Sequence, residues 1–205
     1  MTIQQLNKFL GNIDLYLLDQ VLKNKIRTDA KILDAGCGEG RNLIYFLNNG
    51  FDVQGIDQNA DAIRMLQFIV GSTYSTYPKS NFLIGKLSDL PYSANQFDYV
   101  ICSAVLHFAQ SEEHFWQMIK ELDRVLAADG ILFIRMTSDI GLQGHEKLSN
   151  GLYHLPDGSQ RFLITKKMIN TMLFDLGYVK IEPVKTVVVE NQRCMTTLIL
   201  KKTEQ

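Results

Sequence analysis

Apolar residues recur at steps of three and four near the start of the chain: Ile3, Leu6, Leu10, Ile13, Leu17 and Val21, with Leu22 alongside. That spacing predicts amphipathic helix, and Gly11–Asn12 divides it in two. The pattern then changes. Lys31 to Ala35 is a short apolar run that reads as a strand, followed by glycines at alternate positions, Gly36, Gly38 and Gly40. Leu43, Ile44, Phe46 and Leu47 return to helical spacing, which predicts a helix over 41–49 stopped by Gly50. FDVQGID, from Phe51 to Asp57, reads as a second strand. Asn59 is placed to cap a helix running through Ala62, Met65, Leu66 and Ile69.

The alternation continues. A polar loop over 71–80 leads to a third strand at Asn81–Gly85, and Tyr99–Ser103 makes a fourth. Glu112–Leu126 carries Phe115, Ile119, Leu122 and Leu126 on one helical stripe. Asp129–Gly130 turns into a fifth strand, GILFIRMTS. Residues 137–165 break the rhythm with Gly141, Gly144, Gly151, Pro156 and Gly158, and read as an insertion covering a site. A last helix at Thr165–Leu176 stops at Gly177. Two strands close the chain, Tyr178–Glu190 and Arg193–Lys201, joined at Asn191–Gln192. Strand–helix alternation of this kind builds an α/β fold around a parallel sheet.

Composition narrows the partners. The 205 residues fit one domain, 1–205, with a helical cap at 1–28 and the insertion at 137–165. A net charge of −1 gives no electrostatic footprint for nucleic acid. No apolar run reaches a membrane span, and the N-terminus does not read as a signal peptide. Cys37, Cys102 and Cys194 show neither zinc spacing nor a disulfide framework, so the expected compartment is the cytoplasm and no metal is expected.

The chemistry gathers at strand ends. A Gly-x-Gly-x-Gly loop between strand and helix turns sharply and bares backbone to a ligand. The dinucleotide pattern is Gly-x-Gly-x-x-Gly, with a pyrophosphate on the helix N-terminus. Here Asp34 stands at the loop mouth, where it would repel a pyrophosphate and suit an ammonium; taken alone it reads equally as a strand-end capping acid. Asp57 ends the second strand about 20 residues on, where a carboxylate accepts from ribose hydroxyls, and Gln58 follows for a base edge. Cys102, Ser103 and Ala104 end the fourth strand and leave room for a ligand. His107 lies just beyond and is the best-placed base; its alternative is a packing role. Arg135, inside an apolar strand, needs an anionic partner if it is buried.

These residues together resemble class I S-adenosylmethionine (SAM)-dependent methyltransferases, closest to the tellurite-resistance type of small-molecule enzyme. The shared stretches are Gly-Cys-Gly-x-Gly-Arg-Asn at Gly36–Asn42, Tyr45, Gly50–Val53, Asp-x-Asn at Asp57–Asn59, Leu90-Pro91-Tyr92, Phe97-Asp98 and Arg161-Phe162. The resemblance implies a doubly wound, Rossmann-like seven-stranded sheet, mostly parallel, with an antiparallel C-terminal hairpin strand. It implies SAM as cofactor, held by Asp34, Gly36, Gly38, Arg41, Asp57, Gln58, Lys86, Leu87 and Ser103. Arg41 would meet the SAM carboxylate or an acceptor anion. The family's Asp after the third strand is Lys86 here, which leaves backbone contacts of Lys86 and Leu87 to the adenine. The implied reaction is in-line displacement of the SAM methyl by a small-molecule acceptor, in a monomer or homodimer. With no acid–base pair visible, a soft or self-activated acceptor is favoured. The alternatives are a SAM-binding regulator without chemistry and an NAD-dependent oxidoreductase.

Overall fold

A strand buried on both faces needs apolar residues at nearly every position, and β1 (Lys31–Ala35) and β4 (Phe97–Ser103) have them. In the computed structural model, which describes residues 1–148 and 151–203, these two strands pair in parallel at the centre of the sheet. On one side of β1 lie β2 (Asp52–Asp57) and β3 (Phe82–Ile84), both parallel. On the other side, β4 pairs in parallel with β5 (Leu126–Thr137). β11 (Arg193–Lys202) then runs antiparallel to β5, and β10 (Lys185–Val189) and β9 (Tyr178–Lys180) both pair antiparallel with β11. The full order is β10-β11-β5-β4-β1-β2-β3. Strand order reverses between β1 and β4, and ligands of open α/β sheets bind at the carboxyl edge of such a switch point.

Side chains alternate across the sheet and build two cores. One face carries Leu33, Val100, Cys102, Leu132 and Ile134 beneath α5 (Glu112–Val125) and α6 (Lys166–Phe174). The other carries Ile32, Val53, Tyr99, Ile101 and Phe133 beneath α2 (Leu15–Leu22), α3 (Ile44–Asn48) and α4 (Ala60–Thr73). The Asn59 side chain caps α4, as its position in the sequence predicts.

Four details differ from the sequence expectations. The sheet has eight strands, because the stretch read as Tyr178–Glu190 divides into β9 and β10 around Pro183. Proline lacks the N–H a ladder needs. The turn closing the hairpin centres on Glu190 and Asn191, both at positive φ, one residue earlier than read. The glycine loop holds 36–43 in tight turns, with Gly40 donating to Cys37 and Leu43 to Gly40, so α3 starts at Ile44. The first helix, α1 (Ile3–Leu10), buries none of its residues; it leans on α3 through an edge contact of Phe9 with Tyr45.

The 137–165 excursion has structure of its own: a three-stranded antiparallel sheet of β6 (Glu146–Lys147), β7 (Leu152–His154) and β8 (Gln160–Phe162). Ser149 and Asn150 of this segment lie outside the described residues. Leu142, Leu155 and Leu163 form a small core with Cys194. Phe162 stacks on Phe115 at 4.9 Å and tethers the excursion to the domain.

Candidate active site

The carboxyl ends of β1, β2 and β4 enclose a crevice of about 560 Å³. Its floor is Gly36, Asp57 and Ala104, and Gln58, Lys86, Leu87 and Ser88 line one wall. Val105 and Phe108 continue it from β4, Gln110 faces it just ahead of α5, and His114, Gln117 and Met118 face it from the first half of that helix. The backbone here is held in costly conformations. Ala104 has φ +64 although it is not glycine, and its N–H donates to the Arg135 carbonyl at 2.7 Å. Strain of this kind concentrates where a site needs it.

The glycine loop and the acid of β2 form one unit. Asp57 Oδ2 accepts from the Gly38 N–H at 2.9 Å, and Oδ1 accepts from the Asn59 N–H at 2.8 Å. Each oxygen keeps a lone pair for a further donor. Gly36 and Gly38 do different work. A Cβ on Gly36 would lie 2.2 Å from Val105 Cγ2, at φ +84, whereas one on Gly38 would meet nothing within 4 Å. Gly36→Ala is therefore expected to destabilise the fold by about 3 kcal/mol, from left-handed strain plus overpacking. Gly38→Ala should cost only the strain, about 1 kcal/mol. Urea titrations of both variants would show this, and equal losses would contradict it.

Asp34 sits beneath the loop, 1% exposed, and neither carboxylate oxygen has a hydrogen-bond partner among the described residues. Burial pushes its carboxyl up to about 7, assisted by Asp57 and Asp14 and opposed by Arg41. An acid shifted upward stabilises the fold while protonated. Its contribution is complete below about pH 4 and is lost as the pH rises towards 7.

A second charged cluster closes the crevice on the β4–β5 side. Asp14, at the N-cap of α2, is buried there and accepts from Ser103 Oγ at 3.0 Å and from an Arg135 Nη at 3.1 Å. Its N–H donates to the Asn42 side chain, and Arg41 approaches its carboxylate at 3.7 Å. This is the partner that an arginine inside β5 requires. Arg41 also reaches the Asn12 carbonyl and Ser103 Oγ, each at 3.4 Å. His107 is 8% exposed and is not among the residues that line the crevice, and its Nδ1 has no partner among the described residues. Burial, then the charges of Arg161 and Arg135, lower its pKa to about 4.

Of the residues singled out in the sequence, Gly36, Asp57, Gln58, Lys86 and Leu87 come together on the crevice surface. Gly38 joins them through Asp57. Asp34 lies under the loop, while Arg41 and Ser103 are engaged by the N-terminal strap. Asp14, Phe108, Gln110, His114 and Gln117 were not foreseen. His114 and Gln117 do share one face of α5, but a polar helical face reads equally as solvated surface. Among the described residues no group of His, Cys, Asp or Glu could hold a metal ion, and no helix is long and apolar enough to cross a membrane.

The methyltransferase-domain family matches residues 33–134, from β1 to β5. That stretch, just under half of the chain, is what the chain shares with the methyltransferase-domain family. An uncharacterized methyltransferase of Synechocystis is 30% identical to it over 101 residues, 49% of this chain and 44% of that protein. TehB of Haemophilus influenzae, a probable SAM-dependent methyltransferase, is 33% identical over 97 residues, 46% of this chain and 32% of its own length. The chain thus spans less than half the length of these curated relatives. A SAM-dependent methyltransferase from Methanosarcina mazei shares the fold at TM-score 0.69 and 22% identity, covering 90% of this chain and 98% of that one. The C-terminal hairpin of this chain, antiparallel on a parallel sheet, differs from the parallel strand that closes an NAD-binding domain.

Proposed function

We propose that the protein transfers a methyl group from SAM to a small-molecule acceptor, with the crevice over the β1–β4 switch point as its cofactor site. One observation carries this reading: two carboxylates flank the glycine loop, Asp34 beneath it and Asp57 bonded to the Gly38 amide. An acid at the end of β2 serves a ribose in either kind of site, but a pyrophosphate on the loop would lie over Asp34, whose ionisation it opposes. SAM presents an ammonium and two neighbouring hydroxyls instead, and the donor-hungry Asp34 and the spare lone pairs of Asp57 fit them. Bound SAM supplies a methyl carbon on a positively charged sulfur that leaves as a neutral thioether.

The chain's own residues bind and orient. Gly36 and Gly38 keep the loop backbone bare, and Gln58, Lys86 and Leu87 offer a wall for the adenine. Arg41, held only by contacts of 3.4 Å or longer, is free to turn to a carboxylate. Positioning of this kind is worth roughly 7–11 kcal/mol in a two-reactant step. A histidine whose pKa lies near 4 is a weak base, so His107 suits a packing or positioning role better than proton abstraction.

Calorimetric titration with SAM, S-adenosylhomocysteine and NAD tests the reading. Saturable binding of the first two without NAD is expected; NAD binding without SAM would overturn it. The same titrations carry a pH signature. An ammonium beside Asp34 favours its ionised form, so binding at pH 6 should release up to one proton, falling towards zero at pH 8 and in Asp34→Asn. Enthalpies measured in buffers of different ionisation heat report that proton, and a pH-independent value near zero would remove Asp34 from the site.

A further inference from the structure

We propose that the methyl acceptor is a small organic anion with a flat apolar body, its negative charge taken by Arg161 and its body lying against Phe108. This rests on the methyltransferase reading of the crevice and names its substrate class.

Phe108 is a crevice wall residue and stays 57% exposed. An aromatic ring left open on a concave wall is contact surface for an apolar ligand. Above it, Arg161 of β8 holds its guanidinium 5.1 Å from the ring centroid. Among the described residues that side chain's one hydrogen bond is to the neighbouring Gln160 carbonyl, at 2.7 Å, and no carboxylate of those residues forms an ion pair with it. Four of its five N–H donors therefore remain for a ligand, in the fork geometry that suits a carboxylate. Asp157, an acid that feels Arg193 and then Arg161, is bonded to the N–H and hydroxyl of Ser159.

Arg135 lies on the same side: its charge is felt at His107, it is paired with Asp14, and its Nε is buried without a partner. Asp14, the acid on that side, is already engaged by Arg135 and Ser103. His107 packs against the Phe108 ring at 4.4 Å and stays neutral at physiological pH. A cationic acceptor would meet Arg161 unshielded, whereas an anion completes the pairing. An ionised acceptor also brings its own lone pair, so no side chain has to remove a proton. That agrees with a site whose nearby thiols, Cys37 and Cys102, are held protonated by burial.

Three probes with one ring and different charge test this: benzoate, benzamide and benzylamine, each titrated into the full chain saturated with S-adenosylhomocysteine. Benzoate is expected to bind, with benzamide at least tenfold weaker and benzylamine without measurable binding. Arg161→Gln should weaken benzoate tenfold or more, Arg161→Lys should recover part of the loss, and both should keep the wild-type affinity for S-adenosylhomocysteine and the wild-type melting temperature. No benzoate binding, equal binding of the neutral or cationic probe, or an unchanged Arg161→Gln would each overturn the proposal. Failure of S-adenosylhomocysteine to bind in the first step is a separate result, and counts against the methyltransferase reading itself.

Discussion

Asp57→Ala should weaken SAM binding by about 2–3 kcal/mol, the cost of losing charge-assisted hydrogen bonds. The expected loss has two sources. The carboxylate that would meet the ribose disappears, and so do its bonds to the Gly38 and Asn59 amides. Without the first of these the glycine loop stays tied to β2 through Gly36 and Cys37, which donate to the Ile56 carbonyl. Asp57→Asn separates the two effects, because an amide oxygen still accepts from Gly38 while the charge is gone. The alanine variant should lose more than the asparagine variant, and both should melt within a few degrees of the wild type. Calorimetry with S-adenosylhomocysteine reads the affinity, and an unchanged value in Asp57→Ala would show that the ribose lies elsewhere.

Asp14→Ala is expected to be the most destabilising substitution in the N-terminal strap, at about 3 kcal/mol. Removing one member of a buried ion pair leaves the other charge uncompensated, which typically costs about 3–5 kcal/mol. The lower end applies because Arg135 keeps 27% of its side chain exposed. Ser103 Oγ and the N-cap of α2 lose their acceptor in the same step. The double variant Asp14→Ala with Arg135→Met should recover stability, since the stranded cation is removed as well. Urea midpoints of the three variants decide this; a double variant no more stable than Asp14→Ala would mean the loss lies in the helix cap alone.

That cluster shows where sequence reading ends. Arg135 announces itself, a charge inside an apolar strand, but its partner is 121 residues away and nothing in a single sequence pairs them. Asp34 and Asp57 were legible for the opposite reason. Each is fixed by local spacing from the glycine loop, and parallel strands deliver both to one sheet edge. The order of elements followed from periodicity alone, because helices and strands of a doubly wound fold alternate with clear punctuation. Side-chain direction just past a strand end did not follow. Ala104 takes a left-handed turn, and beyond it Val105 and Phe108 line the crevice while His107 does not. The excursion itself, rich in glycine, gave no strand signal strong enough to reveal β6 to β8. Its three strands are two or three residues long.

A crystal structure of the protein with S-adenosylhomocysteine tests the central claim most directly. The ribose hydroxyls should lie within hydrogen-bonding distance of Asp57, the amino group on the Asp34 side of the glycine loop, and the sulfur near Ala104 with open space towards Phe108. A nucleoside bound anywhere else, or a crevice filled by the protein's own side chains, would contradict it.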